Sequence, residues 1–134
     1  MDNPFGDNVD MNTFNQMLEM DDTDEREFSS SIVTGFFEQA EETFTSMDKA
    51  LKDQDLEELS SLGHFLKGSS ATLGLVKVRD GCEKIQRYGK KENEDGSPET
   101  DEELCLKRIT QALKAVREDY REAETALKRF YEIE

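Results

Sequence analysis

The segment FSSSIVTGFFEQAEETFTSMDKAL, residues 28–51, decides the fold class. Its apolar residues recur every three or four positions, which is the spacing of one face of an α-helix. The positions on this face are Phe28, Ile32, Phe36, Ala40, Phe44, Met47 and Leu51. The segment therefore predicts a long amphipathic helix.

Three other segments show the same helical spacing. A long one carries Cys105, Ile109, Ala112, Val116, Tyr120, Ala123, Leu127 and Phe130. Two shorter ones carry Leu56, Leu59, Leu62, Leu66, Ser70 and Leu73, and then Leu75, Val78, Cys82, Ile85 and Gly89. No segment alternates polar and apolar residues for long enough to predict a strand, so we expect an all-α chain.

Helix boundaries follow from capping residues and glycines. An N-cap residue precedes a carboxylate by three positions in the pairs Asp24–Glu27, Asp55–Glu58 and Thr100–Glu103. Gly74 separates the third and fourth helices, Gly89 closes the fourth, and residues 92–99 form a polar loop in which Ser97-Pro98 is an alternative helix start.

These signals predict an antiparallel up-down four-helix bundle with a short additional N-terminal helix. The expected bundle helices cover about 24–53, 55–73, 75–90 and 100–132. The short helix, at about 10–20, carries Met11, Phe14 and Leu18. Residues 1–134 are expected to form one domain.

The composition excludes several classes of function. The 134 residues include 17 basic and 32 acidic ones, a net charge of −15, which argues against a nucleic-acid surface and against docking on an anionic membrane. One histidine and two cysteines argue against a structural zinc site. The first ten residues resemble no secretory signal, so we expect a soluble intracellular protein with reduced thiols.

His64 is the only histidine, and it lies on an unusual helix face. At about 100° per residue, His64 falls almost opposite the apolar stripe of its helix. The residues around it on that face are small, namely Ser60, Ser61, Gly68 and Ala71. Glycine inside a helix costs about 1 kcal/mol relative to alanine. Gly63 and Gly68 therefore either let another protein approach His64 or permit close packing of helices within the bundle.

The charge around His64 differs from the rest of the chain. Residues 61–91 contain 7 basic and 2 acidic residues, whereas residues 1–60 contain 3 and 17. Such a cluster of basic residues favours binding of a transient anion at His64, and phosphate is the natural candidate. The alternative is that the cluster only balances the charge of the neighbouring acidic helices. No P-loop, dinucleotide-binding glycine motif or nucleophile elbow is present.

The stretch LGHFLKGSSATLGLVKVRDGCEKIQRYGKK, residues 62–91, closely resembles the histidine-containing phosphotransfer (HPt) proteins, particularly the fungal intermediates of osmosensing phosphorelays. The resemblance is carried by the pattern H-x-x-K-G-S and the downstream C-E-x-I-Q, with weaker similarity at MLEMDD (17–22) and in the last helix. The chain departs from the family in its short connection between the last two helices and in Lys90, where an arginine is more familiar.

The resemblance implies that His64 accepts a phosphoryl group from an aspartyl phosphate in the receiver domain of a hybrid histidine kinase. His64 would then pass it to the receiver domains of response regulators. Lys67 and Lys90 would offset phosphate charge, Gln86 would orient the imidazole, and Gly68 would leave room for the receiver. The protein would be a phosphocarrier without a kinase or ATP site of its own.

Docking should use an apolar patch with a polar rim. The candidates are Met17, Met20 and Phe65 for the patch, and Asp21, Asp24 and Ser69 beside it. We expect a monomer with no cofactor and no metal site of its own, Mg²⁺ being held by the receiver domain. The resemblance also implies a protein of both cytoplasm and nucleus.

Two other classes of function remain open at this point. The first is a non-catalytic acidic helical adaptor that binds a partner through the His64 face. The second, a haem or metal bundle, would show a chromophore or metal in the purified protein. An adaptor should tolerate His64→Gln, whereas a phosphocarrier should lose all transfer.

Overall fold

The apolar stripes of the sequence become the inward faces of long helices. The structure, a computed structural model, describes residues 9–21, 27–93 and 95–131. Its helices are α1 (Met11–Leu18), α2 (Glu27–Lys52), α3 (Leu56–Thr72), α4 (Val76–Gly89) and α5 (Glu102–Tyr131). The described residues contain no β-strand. The prediction of an all-α four-helix bundle with a short N-terminal helix is confirmed.

The core lies between α2, α3, α4 and α5. Among its fully buried side chains are Met47, Leu59, Leu66, Ile85, Ile109 and Leu127. Each such side chain stabilises the fold by about 1.5–3 kcal/mol through burial. The short helix α1 adds the fully buried Phe14, whose ring meets that of Phe130 edge-on with centroids 5.7 Å apart. The bundle thus holds α3 and α4, which carry the candidate site, against a continuous apolar interior.

Two of the stripe predictions need correction. Phe28 is 47% exposed, and the buried positions at the start of α2 are Ser29 and Val33 instead. The physical reason is that steps of four residues rotate the stripe by about 40° each, so Phe28 is roughly 160° from Phe44 around the axis. In α5, the half-buried Ala112 packs against the core, but the stripe omitted Leu113, which is buried.

Of the predicted N-caps, the one at α3 is confirmed and the one at α5 is wrong by one residue. Asp55 caps α3 as expected, its Oδ1 accepting from the Glu58 N–H at 3.1 Å. At α5, Asp101 and not Thr100 is the cap, with Oδ1 accepting from the Leu104 N–H at 3.1 Å. The capping pair expected at Asp24 lies outside the described residues.

Candidate functional site

The structure places His64 in the middle of α3 on its exposed side. The opposite side of the helix is buried through Leu59, Gly63 and Leu66. His64 therefore lies on the side of α3 away from the core, as its angular position in the sequence predicts. Because the residue is exposed, its side chain is open to a partner protein.

Gly63 lies where α3 and α4 touch backbone to backbone. A Cβ at Gly63 would be 2.9 Å from the Cys82 carbonyl oxygen and 3.0 Å from the Gln86 nitrogen. A Cβ at Gly89 would be 2.7 Å from the Leu56 carbonyl oxygen. Gly63 therefore serves close helix packing, the second of the two roles the sequence left open.

Ser60 ties the same two helices together. Its Oγ donates to the Gln86 carbonyl oxygen at 3.0 Å. We call the surface formed by Ser60 and Gly63 of α3 with Cys82, Gln86 and Gly89 of α4 the α3–α4 contact. Because this contact fixes α4 against α3, it also fixes where the side chains of α4 stand relative to His64.

Gly68 has the opposite environment. It is exposed, and a Cβ built on it meets nothing within 4 Å. Packing inside this chain therefore gives no reason for a glycine at this position. The clearance that it creates lies one turn beyond His64, on the exposed side of α3.

The structure brings three predicted supporting residues together in one depression. It has a volume of about 160 Å³ and is lined by Lys67, Glu83, Gln86, Arg87, Lys90 and Glu92. We call it the basic depression, because three cationic side chains face two carboxylates within an acidic protein. Such a local excess of positive charge attracts anions.

Sequence reasoning missed three members of the basic depression, Glu83, Arg87 and Glu92. Glu83 and Arg87 form an ion pair across one turn of α4, with Arg87 Nη2 3.9 Å from Glu83 Oε1. Their spacing of four residues was the available signal. The resemblance implies that Gln86 orients the His64 imidazole. Within the described residues no hydrogen bond joins the two side chains, so this structure does not contain that contact.

Two of the three side chains proposed for the apolar docking patch are exposed. Met20 and Phe65 are 62% and 49% exposed. Met17 was placed wrongly, because it is only 6% exposed and belongs to the core. It follows Phe14 by three residues, which puts the two side chains only about 60° apart on the helix.

Of the two acidic residues proposed beside the docking patch, Asp21 has a structural role. Asp21 is half-buried, and its carboxylate accepts from the Ser29 N–H at 2.8 Å and from the Ser29 Oγ at 2.6 Å. It therefore stabilises the first turn of α2. Asp24 lies outside the described residues.

Ser69 lines a groove that the sequence did not reveal. This α2–α3 groove has a volume of about 340 Å³. Its lining comes from α2 (Ser31, Ile32, Gly35, Phe36 and Gln39), from α3 (Ser69 and Thr72) and from Leu73, the C-cap of α3. The Ser69 and Thr72 hydroxyls donate to the carbonyls four residues earlier, at 3.3 and 3.1 Å. A glycine at position 35, in the middle of an amphipathic helix, was the signal that could have indicated it.

The thiols take no part in the site. Cys82 and Cys105 are free and buried. Burial raises the pKa of the Cys82 thiol to about 12 and also raises the pKa of Cys105. Both are therefore poor nucleophiles near neutral pH.

The described part of the chain has neither a metal-binding cluster nor a membrane-spanning helix. No group of three or more His, Cys, Asp or Glu side chains is arranged to hold a metal ion there. None of the helices in it has both the length and the apolar character needed to cross a membrane.

The chain is similar to known phosphorelay proteins. The model of the Hpt domain family matches residues 31–119. Multistep phosphorelay regulator 1 of Schizosaccharomyces pombe is 52% identical over 125 residues, covering 92% of this chain and 42% of that protein. Phosphorelay intermediate protein YPD1 of Candida albicans is 54% identical over 87 residues, or 65% of this chain and 47% of that protein. The chain thus spans less than half the length of these two relatives.

A solved structure has the same fold. In the co-crystal structure of the Saccharomyces cerevisiae histidine phosphotransfer signaling protein Ypd1 and the receiver domain of its downstream response regulator Ssk1, the matching chain is 31% identical with a TM-score of 0.83. The match covers 95% of this chain and 96% of that one. The resemblance inferred from the H-x-x-K-G-S pattern is confirmed, and the chain belongs to the Hpt domain family.

Proposed function

We propose that this chain is a histidine phosphotransfer intermediate of a multistep phosphorelay, with His64 carrying the phosphoryl group. The observation that carries the proposal is the position of the only histidine in the sequence, exposed in the middle of α3 and clear of the α3–α4 contact. A carrier that meets two different proteins needs its reactive atom on an open surface, and this imidazole meets that requirement.

The reaction has two equivalent halves. A neutral imidazole nitrogen of His64 attacks the phosphorus of a receiver aspartyl phosphate, and the bond from phosphorus to the carboxylate oxygen breaks with its electron pair leaving on the carboxylate. In the second half, the carboxylate of another receiver attacks the phosphohistidine and the imidazole nitrogen takes back the electron pair. Such transfers need mainly in-line positioning and neutralisation of charge.

The basic depression, which includes Lys67 one helical turn from His64, is proposed to supply that charge. The depression also contains Lys90 and Arg87. A phosphoryl group on His64 would carry negative charge next to these cations. Lys67 and Lys90 are therefore proposed to stabilise the phosphorylated form, and Gln86 to orient the imidazole once a partner is bound.

We propose that receiver domains dock on the surface that surrounds His64. Three exposed large apolar side chains support this, namely Met20, Phe28 and Phe65, because a monomer gains nothing by exposing them. The α2–α3 groove, to which α3 contributes Ser69 and Thr72, is proposed to extend this surface. A relative of the same fold, yeast Ypd1, forms a complex with the receiver domain of a response regulator. The proposed partners are the receiver of a hybrid histidine kinase and those of response regulators.

The carrier is proposed to work as a monomer without a cofactor of its own. We propose that the receiver domain supplies the Mg²⁺ and the acidic cluster of the transfer, and that the carrier does not phosphorylate itself from ATP. We further propose that it moves between cytoplasm and nucleus, which imaging of a fluorescent fusion in living cells would test.

The decisive experiment is phosphotransfer from a phosphorylated receiver domain to the wild-type chain and to His64→Gln. Wild type should acquire phosphate that is labile in acid and stable in alkali, and His64→Gln should acquire none. Ser61→Ala, an exposed neighbour on the same helix, is the matched control and should be labelled like wild type. Equal labelling of His64→Gln would refute the proposal.

The exposed apolar surface also favours a second candidate, the non-catalytic adaptor. It predicts that His64→Gln binds a receiver domain as tightly as wild type does, and that neither protein acquires phosphate from several phosphorylated receivers. Binding measured by calorimetry beside the transfer assay separates the two functions.

A further inference from the structure

The loop between α4 and α5 carries a dipeptide that the histidine chemistry does not use. Ser97-Pro98 is the only Ser-Pro or Thr-Pro pair in the sequence, since the other proline, Pro4, follows an asparagine. Both residues are exposed. A residue that precedes proline is biased towards extended backbone, which is the form in which proline-directed protein kinases bind their substrates.

The backbone holds this dipeptide in a defined place. The Asn93 N–H donates to the Ser97 carbonyl at 2.7 Å, and the Glu99 N–H donates to the Lys91 carbonyl at 2.8 Å. Gly96, with a φ of +87°, makes the turn that precedes Ser97. Ser97 is thus held at the base of a closed loop, next to the bridge between Glu92 and Pro98, with its side chain exposed.

A chain of hydrogen bonds links the Ser97 hydroxyl to a cationic side chain, and a second cation lies next to Gly96. Its Oγ accepts from Asn93 Nδ2 at 3.0 Å, and Asn93 Oδ1 in turn accepts from Arg108 Nη1 at 2.5 Å. Arg108 is therefore two hydrogen bonds away from Ser97, through a single amide. On the α4 side, Arg87 Nη1 is 3.9 Å from the position that a Cβ on Gly96 would take.

An open depression lies at the same place. It has a volume of about 430 Å³ and is lined by Tyr88, Asn93, Asp95 and Arg108. The guanidinium of Arg108 lies over the Tyr88 ring, 5.8 Å from its centroid, which holds it at the edge of the depression. A dianionic group at this point would meet a pre-positioned arginine fork.

We propose that Ser97 is a phosphorylation site for a proline-directed protein kinase, and that Arg108 binds the phosphoserine with Arg87 beside it. In the modification Ser97 Oγ attacks the γ-phosphorus of ATP, the bond to the β–γ bridging oxygen breaks, and ADP leaves with the electron pair. The hydroxyl proton passes to the base of the kinase.

The phosphate changes the hydrogen bonding of the loop. At present Ser97 Oγ donates to Asp95 Oδ1 at 2.6 Å, a bond that lowers the pKa of Asp95. A phosphate has no such donor and repels the carboxylate, so Asp95 is displaced and the phosphate oxygens take the Asn93 amide and Arg108.

The first test is made in the His64→Gln chain, so that phosphohistidine cannot contribute. The folded protein is incubated with Mg-ATP and a purified proline-directed kinase, one of the mitogen-activated class and one of the cyclin-dependent class. We expect about one acid-stable phosphate per chain at Ser97 by mass spectrometry, and at least a tenfold loss with Ser97→Ala or Pro98→Ala. Labelling that persists in Ser97→Ala overturns the site. The site is also overturned if a peptide of residues 91–101 is labelled while the folded chain is not.

The second test asks whether Arg108 binds the phosphate. The phosphoserine is titrated by phosphorus NMR in the protein with and without Arg108→Gln, with Lys107→Gln as the exposed neighbouring control. Loss of the arginine should raise the phosphate pKa by about half a unit, since an adjacent cation favours the dianion. No difference between Arg108→Gln and Lys107→Gln would overturn the role of Arg108.

Discussion

The two sides of α3 differ in what surrounds their glycines. On the side that faces α4, a Cβ at Gly63 would contact backbone atoms of α4 at 2.9 and 3.0 Å, whereas a Cβ at Gly68 on the open side would contact nothing. The first glycine is required by the fold of this chain. The second leaves a clearance that the fold does not use, so its explanation has to be sought in what approaches His64.

The largest effect on stability is expected at the closed side. Gly63→Ala should lower the free energy of unfolding by about 1–3 kcal/mol, because the Cβ must push α3 away from the backbone of α4. Alanine also has a helix propensity about 1 kcal/mol better than glycine, but this gain offsets only part of the steric cost. Denaturant unfolding followed by circular dichroism measures the change.

Gly35→Ala is the matched control for that substitution. Gly35 also lies inside a helix, but a Cβ there meets nothing within 4 Å. Its replacement should stabilise the protein, so a loss of stability as large as that of Gly63→Ala would contradict the packing argument.

On the open side the expected effect is on transfer. Gly68→Gln should leave the unfolding transition within about 0.5 kcal/mol of wild type, because the side chain has room. It should slow phosphotransfer from a receiver by at least about tenfold, or 1.4 kcal/mol, since the docked receiver would need the space. Normal transfer by a normally folded Gly68→Gln protein would remove the steric role of this glycine.

The closed side should also respond to alkaline pH. Burial raises the pKa of Cys82, which lies in the α3–α4 contact, to about 12. The thiol of the unfolded chain ionises at its ordinary pKa near 9 while that of the folded chain stays protonated. Stability is therefore fully present below pH 9 and falls as the pH rises towards 12.

The loss from Cys82 should approach about 1.4 kcal/mol per pH unit above pH 9. Unfolding measured between pH 8 and 10 in wild type and in Cys82→Ala tests this. The variant is less stable at pH 8 because it lacks a buried side chain, but its stability should fall less steeply with pH. If the free energy of unfolding fell equally steeply with pH in both proteins, Cys82 would not contribute to the pH dependence. Burial also raises the pKa of Tyr120, so this residue lowers stability in the same way at higher pH. Stopping at pH 10 avoids most of the range in which it does so.

The comparison of the two sides also shows how far the sequence could predict this molecule. Periodicity was enough for the helices and for the exposure of His64, because both depend on rotation within a single helix. It failed at Phe28, where steps of four residues accumulate rotation, and at Met17, where the contribution of α1 to the core was underestimated.

The sequence does not predict how one helix is positioned against another. Gly63 and Gly68 look alike in the sequence, and only the position of α4 shows that one packs and the other does not. The same holds for Glu83 and Arg87, which join Lys67 in the basic depression because the α3–α4 contact sets the offset between the two helices.

The smallest effect is expected for Gly68→Ala, which separates the effect of this glycine on stability from its effect on transfer. Gly68→Ala should raise the free energy of unfolding by about 0.5–1 kcal/mol, because alanine restricts the unfolded chain and favours the helix. Its methyl group occupies little of the clearance beside His64, so transfer should slow by less than in Gly68→Gln. The two variants measured in the same assays would then show transfer falling with side-chain size, while the free energy of unfolding is raised by alanine and stays within about 0.5 kcal/mol of wild type with glutamine. If alanine slows transfer as much as glutamine does, backbone flexibility at this turn of α3, and not free space, is what the reaction requires.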